Sequence, residues 1–201
     1  MSVNTWESHL DARDNPVLEG AWDDGTPWGF YTHNQVIPPE VPVRTSMCVP
    51  VCSLNSYNPQ VMLTLNIGRG GFEIPGGHLD PIEDGEVETA PLAAARETGE
   101  ETGLHVEAGR LIPYGYIEAR NAPDTAYPPL TYMQLFGTWA SGYPGPITDN
   151  EVDGAGVFTL DALHRMAERG AIRTTELGLI CLGVRAVLKH HGISDERIRM
   201  P

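Results

Sequence analysis

Glu97, Glu100 and Glu101 stand at i, i+3 and i+4 in the string Arg96-Glu97-Thr98-Gly99-Glu100-Glu101-Thr102-Gly103-Leu104. On a helix this spacing puts three carboxylates on one face, where like charges cost about 0.2–0.5 kcal/mol per pair. Arg96 reaches Glu100 at i+4 but cannot neutralise all three. Such a face is either solvated or occupied by a hard divalent cation with oxygen ligands, and Mg²⁺ is the commonest ion that works with phosphate substrates. Upstream, Gly76-Gly77 follows FEIP, and two glycines let the backbone turn sharply and bring a carbonyl toward the same carboxylates. Asp80, Glu83, Asp84, Glu86, Glu88 and the three helix glutamates are opposed only by Arg96. That density is costly unless water or a cation sits among the acids.

A helix from about 89 to 102 must carry this face. Thr89 can cap it, Pro91 suits its first turn, LAAARE propagates it and Gly103 stops it. Strands are expected at RTSMCVPVCSL and VMLTLNI before the helix, and within HVEAGRLIPYGYIEAR, LTYMQLFGTWA and VFTL after it. A helix from Asp161 to about Arg169 and a last one over 174–191, closed by Gly192, complete the chain. Leu177, Ile180, Cys181, Val184 and Leu188 form an apolar stripe on that last helix, suited to core or to a dimer contact. Residues 1–43 lack sustained periodicity yet hold Trp6, Trp22 and Trp28. They read as an aromatic, Pro-containing arm packed on the domain formed by 44–201, or on a second subunit. The expected fold is an α/β sandwich with a mixed sheet between helical layers.

The segment 76–104 resembles the Nudix box of the Nudix hydrolases, G-x5-E-x7-R-E-U-x-E-E-x-G-U, where U is a bulky aliphatic residue. Glu88, Arg96-Glu97, Glu100-Glu101, Gly103 and Leu104 match it at the right spacing. Two departures stand out. Ten residues separate Gly77 from Glu88 where the pattern has five, so the extra PIEDG-like segment is expected to bulge ahead of the helix. Taking Glu83 in place of Glu88 restores x5 but breaks the distance to Arg96. Thr98 stands where an aliphatic residue is usual, which weakens packing beneath the helix.

The resemblance implies a Nudix-type α/β/α sandwich that hydrolyses a diphosphate bond with Mg²⁺, or Mn²⁺ in its place. By position, Glu97, Glu100 and Glu101 are the implied metal ligands, with the Gly77 carbonyl as a further one. Arg96 is implied to orient Glu97, and Glu88 to support the loop or the helix start. The general base varies in the family, and Glu97, Glu118 and Glu151 all stay open. The implied substrate is a small-molecule diphosphate, with a nucleoside diphosphate linked to another group favoured. A ligand-binding sensor on the same fold is the alternative reading. Prenyl diphosphate isomerisation is disfavoured, because nothing around Cys48 and Cys52 resembles that site.

Substrate-selecting residues are less marked. Arg44, Arg69 and Arg120 could meet phosphate but read first as solvated, and Tyr114, Tyr116, Tyr132 and Trp139 could stack a base but read first as core. The 201-residue chain carries a net charge of -14 and a pI near 4.7, which excludes polymeric nucleic acid as a partner. A mean hydropathy of -0.23 and the lack of an 18-residue apolar run exclude a membrane span. The N-terminal sequence is acidic and lacks an apolar stretch, and three cysteines without a CxxC suit a reduced cytoplasmic protein. A homodimer is expected from the arm and the final helix.

Overall fold

The computed structural model describes residues 6, 10, 15–22, 24–55, 57–66, 68, 71–82, 86–122, 128–142 and 144–201. Arg69, Glu83 and Asp84 lie outside the described residues. The strands are β1 (Leu18–Ala21), β2 (Pro27–Thr32), β3 (Val43–Ser53), β4 (Gln60–Asn66), β5 (Gly71–Glu73), β6 (Gly76–His78), β7 (Ile112–Arg120), β8 (Leu130–Trp139) and β9 (Gly154–Thr159). Helices α1 (Ala90–Thr102), α2 (Leu160–Glu168) and α3 (Thr174–His190) accompany them, with a 3₁₀ turn at Ala108–Arg110. The sheet runs β1-β2-β7-β8-β3-β4-β5, with β6 paired to β3 and β9 to β4. Among the described residues, only the central β3–β8 pair is parallel, so the sheet is mixed, as expected.

Alternation along β3 sorts the two layers, because successive side chains point to opposite faces. Cys48 joins Phe136, Ala90 and Ala94 under α1, whereas Val49 and Val51 join Leu177, Ile180, Val184 and Leu188 of α3. All five residues of the α3 stripe are fully buried, so core packing accounts for them. Small residues on the buried face of α1 let it lie close to the sheet. Thr98, fully buried there, donates its hydroxyl to the Ala94 carbonyl at 2.7 Å and so carries no unsatisfied polar atom inward.

Three local features depart from expectation. Thr89 occupies the N-cap position of α1, but its side chain makes no capping bond. Residues 18–21 and 27–32, an irregular arm by sequence, are two antiparallel strands, and β2 pairs with β7 from Trp28–Ala119 to Thr32–Gly115. Their brevity and Pro27 hide the period-2 signal. Finally, the segment Ala108–Arg110 ahead of β7 forms the 3₁₀ turn and not a strand.

Gly103 ends α1 with φ 71°, and its amide donates to the Gly99 carbonyl at 2.8 Å. A Cβ there would collide with the Gly145 carbonyl. Gly103→Ala is therefore expected to cost about 2 kcal/mol or more, a drop of about 4–8 °C in Tm by thermal denaturation. On the opposite face, Glu176 of α3 is buried and accepts the Ile74 amide at 2.9 Å. Burial pushes its carboxyl up, against the Ile74 bond and Arg173, which pull it down. A raised folded-state value means that this group's contribution is fully present below the ordinary carboxylate range and is lost as pH rises. Glu176→Gln keeps an acceptor for Ile74 without the charge. Its Tm relative to the parent should therefore improve between pH 4.5 and pH 8; a flat difference would contradict the buried-charge account.

Candidate metal and diphosphate site

Arg96 is the hub of the site. Its Nη1 lies 2.9 Å from Glu97 Oε1 and 2.8 Å from Glu100 Oε2, and its Nη2 lies 2.6 Å from Glu88 Oε1 and 3.4 Å from Asp80 Oδ2. Nη2 also donates to the His78 carbonyl at 3.0 Å. These partners raise the guanidinium far above its ordinary value, the Glu88 bond most, and it stays charged throughout. Glu88, the acid at the right spacing in the sequence, thus meets Arg96. Glu88 and Asp80 also bond reciprocally, Asp80 N–H to Glu88 Oε1 and Glu88 N–H to the Asp80 carbonyl, both at 2.9 Å. The loop between them is pinched off at its base by the Pro81–Val87 bridge. The inserted residues therefore leave the helix register untouched.

Gly77 and Glu97 meet across β6 and α1. A Cβ on Gly77 would collide with the Glu97 carboxylate and push it from the place where Arg96 holds it. Next to it, the Gly76 amide donates to Glu101 Oε2 at 2.9 Å. The double glycine thus serves the two carboxylates through space and through an amide donor.

The last carbonyls of a helix lack intrahelical partners, and here a distant loop satisfies some of them. The Gly103 carbonyl accepts from the Gly145 amide at 2.6 Å, and the Glu100 carbonyl accepts from Thr148 at 2.9 Å and Asp149 at 3.2 Å. This docking delivers Asp149 to the helix glutamates. One carboxylate oxygen each from Glu97, Glu101 and Asp149 lies within 4.8 Å of the others, a grouping suited to a metal ion. Asp149 was not singled out by the sequence. Its only signal was its place in the acidic TDNEVDG loop, two residues before Glu151.

The electrostatics also favour a cation here. Burial raises the Glu97 carboxyl, Arg96 pulls it back, and Glu100 and Asp149 add like-charge repulsion. The three helix glutamates occupy the C-terminal half of α1, whose last turn has no basic residue. A helix C-terminus carries partial negative charge, so the carboxylates and the helix end repel in concert. Hard oxygen donors gathered against such a field fit a divalent metal.

A cavity of about 780 Å³ opens over this cluster, and Glu97, Glu100, Glu101, Asp149, Glu151 and Gly77 form part of its wall. Glu118 is not part of its wall, whereas its strand neighbours Ile117 and Ala119 are. By strand alternation Glu118 faces away, and it pairs with Arg120 at 3.3 Å. Arg44 reaches the wall, as does Arg173, which the sequence did not single out. Tyr114, Tyr116 and Tyr132 are buried in the core, and exposed Trp139 meets His191 edge-on. All three cysteines are free thiols. No helix among the described residues is long and apolar enough to cross a membrane.

Comparison with known proteins agrees with this fold. A family model of the NUDIX domain matches residues 49–177. No curated protein sequence matches significantly. The NUDIX domain of Shewanella oneidensis NrtR, crystallised with ADP-ribose, superposes with a TM-score of 0.53 at 15% identity, covering 89% of this chain and 96% of that one. A NUDIX hydrolase from Alicyclobacillus acidocaldarius gives 0.51 at 16% identity over 71% and 92% of the two chains. A Bacillus subtilis pyrophosphohydrolase gives 0.50 at 19% over 71% and 77%. At these identities the likeness speaks for the fold alone, while the family match spans most of the chain and includes every residue around Arg96. The chain belongs to the Nudix family.

Proposed function

We propose that the protein is a Mg²⁺-dependent hydrolase of a diphosphate bond, acting on a nucleoside diphosphate linked to another group or a similar small organic diphosphate. The observation that carries this reading is the convergence of Glu97, Glu101 and Asp149 at the floor of a cavity large enough for such a molecule. Glu100, with one oxygen on Arg96, and the Gly77 carbonyl complete the proposed donor set. Mn²⁺ would serve in the same place. When bound, the ion offsets phosphate charge and makes bound water more acidic.

The chain's own residues do the rest. Arg96 fixes Glu97 and Glu100 in place through its two Nη1 contacts. Of the three carboxylates weighed as general base, Glu97 and Glu151 line the cavity and Glu118 does not. A base must come within hydrogen-bonding reach of its proton, so we assign proton removal from the attacking water to Glu151 or Glu97. Free thiols suit a reducing cytoplasm, and the acidic surface suits a small, cation-paired substrate over polymeric nucleic acid.

The test is product release with Mg²⁺ across nucleotide sugars, ADP-ribose, dinucleoside polyphosphates, NADH, CoA and nucleoside triphosphates. Glu101→Gln and Asp149→Asn should each lower turnover by more than the roughly 10–100-fold typical of outer-shell partners of a metal. Mn²⁺ should raise the Tm of the parent, and the two variants should lose most of that rise. Turnover unaffected by both substitutions would overturn the site. Silence across the panel together with ligand-induced stabilisation would favour a ligand-binding sensor.

A further inference from the structure

The two glycines that touch Glu97 and Glu101 have no side chains with which to hold their own position. A Cβ on Gly76 would collide with the Ser46 carbonyl, and one on Gly77 with the Glu97 carboxylate. Pairing with β3 fixes β6 along one edge, through Met47–Gly76, Ser46–Gly77 and Thr45–His78. Further hold comes from the flanking residues. After the glycines, Arg96 Nη2 donates to the His78 carbonyl at 3.0 Å. Before them, the Cys48 amide donates to the Pro75 carbonyl at 3.0 Å, and the Ile74 amide donates to Glu176 Oε1 at 2.9 Å. Glu176 comes from α3, 102 residues along the chain from Ile74. It is 6% exposed and stands in the cavity wall.

A buried carboxylate costs free energy unless its oxygens are partnered, and here each oxygen has a partner. Oε1 takes the Ile74 amide, and Oε2 lies 3.8 Å from Arg173 Nη2, which also reaches Glu73 Oε1 at 3.5 Å. The first turn of α3 therefore grips two consecutive residues, Glu73 and Ile74, just ahead of the turn into β6. Fold stability alone would be served as well by a well-packed apolar side chain. We propose that Glu176 is a positioning residue for the metal site: by fixing the Ile74 amide, it sets where the Gly76 amide meets Glu101 and where Gly77 backs Glu97. The Gly76 amide, two residues on, donates to Glu101 Oε2 at 2.9 Å. Loss of the anchor lets the segment 74–77 shift, and both carboxylates lose the backbone that aims them. The inference rests on the proposed reading that these carboxylates hold a divalent ion.

Direct titration with Mn²⁺, read well below the metal-free Tm of each variant, separates position from charge and from stability. Glu176→Gln keeps the length and an acceptor for Ile74, and should bind Mn²⁺ as tightly as the parent. Glu176→Asp keeps the charge but falls short of Ile74. It should bind Mn²⁺ about 10-fold more weakly, the lower end of the usual worth of outer partners of a metal ligand. Glu176→Met, of similar length but without an acceptor oxygen, should show the same loss, so that either variant that folds decides. Parent-like Mn²⁺ affinity in Glu176→Asp and Glu176→Met, whatever their Tm, would overturn the inference and leave the metal reading standing. An equal loss in Glu176→Gln would also overturn it, by assigning the effect to charge. Glu101→Gln is the control: a parent that binds no Mn²⁺, or a Glu101→Gln variant that binds it fully, would sink the metal reading and this inference with it.

Discussion

One guanidinium holds four carboxylates, and the rest of the site follows from its limits. Arg96 contacts Asp80, Glu88, Glu97 and Glu100 within 3.4 Å. It ties the loop before α1, the body of α1 and the backbone of β6 into one unit. Ion pairs between partly exposed groups contribute little individually. The gain lies in register, since every donor of a rigid planar fork is satisfied in a single arrangement. What remains is an excess of negative charge beside a helix C-terminus that is itself negative. Such an arrangement works against folding, as functional sites often do.

The same helix end that repels charge recruits its complement. Unpartnered carbonyls at Glu100 and Gly103 bind the amides of Gly145, Thr148 and Asp149. A loop more than forty residues downstream is thereby fixed by backbone bonds alone, with little demand on its side chains. Asp149 arrives as a consequence of that docking. The absence of a side chain at Gly103 matters here as much as its φ, because the Gly145 carbonyl sits where a Cβ would be.

This explains what the sequence could and could not convey. The box helix, the central strands and the final helix were readable because each declares itself within about fifteen residues through periodicity and end signals. Glu88 was readable by its spacing to Arg96. Asp149 was not, because its partners are backbone carbonyls with no sequence identity. Glu118 looked as plausible as Glu151 in the sequence, yet one position along a strand decides which face a side chain takes. The β1–β2 hairpin was obscured by short strands around prolines and a glycine, and its aromatic residues were the visible trace of its packing. Thr98 looked like a packing defect, but its hydroxyl bonds to the preceding turn and leaves the helix close to the sheet.

The charge gathered on the cavity floor sets what can enter it. At the floor, crowded carboxylates repel a bare diphosphate. On the proposed reading, cation and diphosphate each make the floor hospitable to the other, so their affinities rise together by one reciprocal coupling energy. The overall charge of -14 acts in the same direction. It disfavours long polyanions at every approach and leaves entry to small molecules whose phosphates come already paired with a cation.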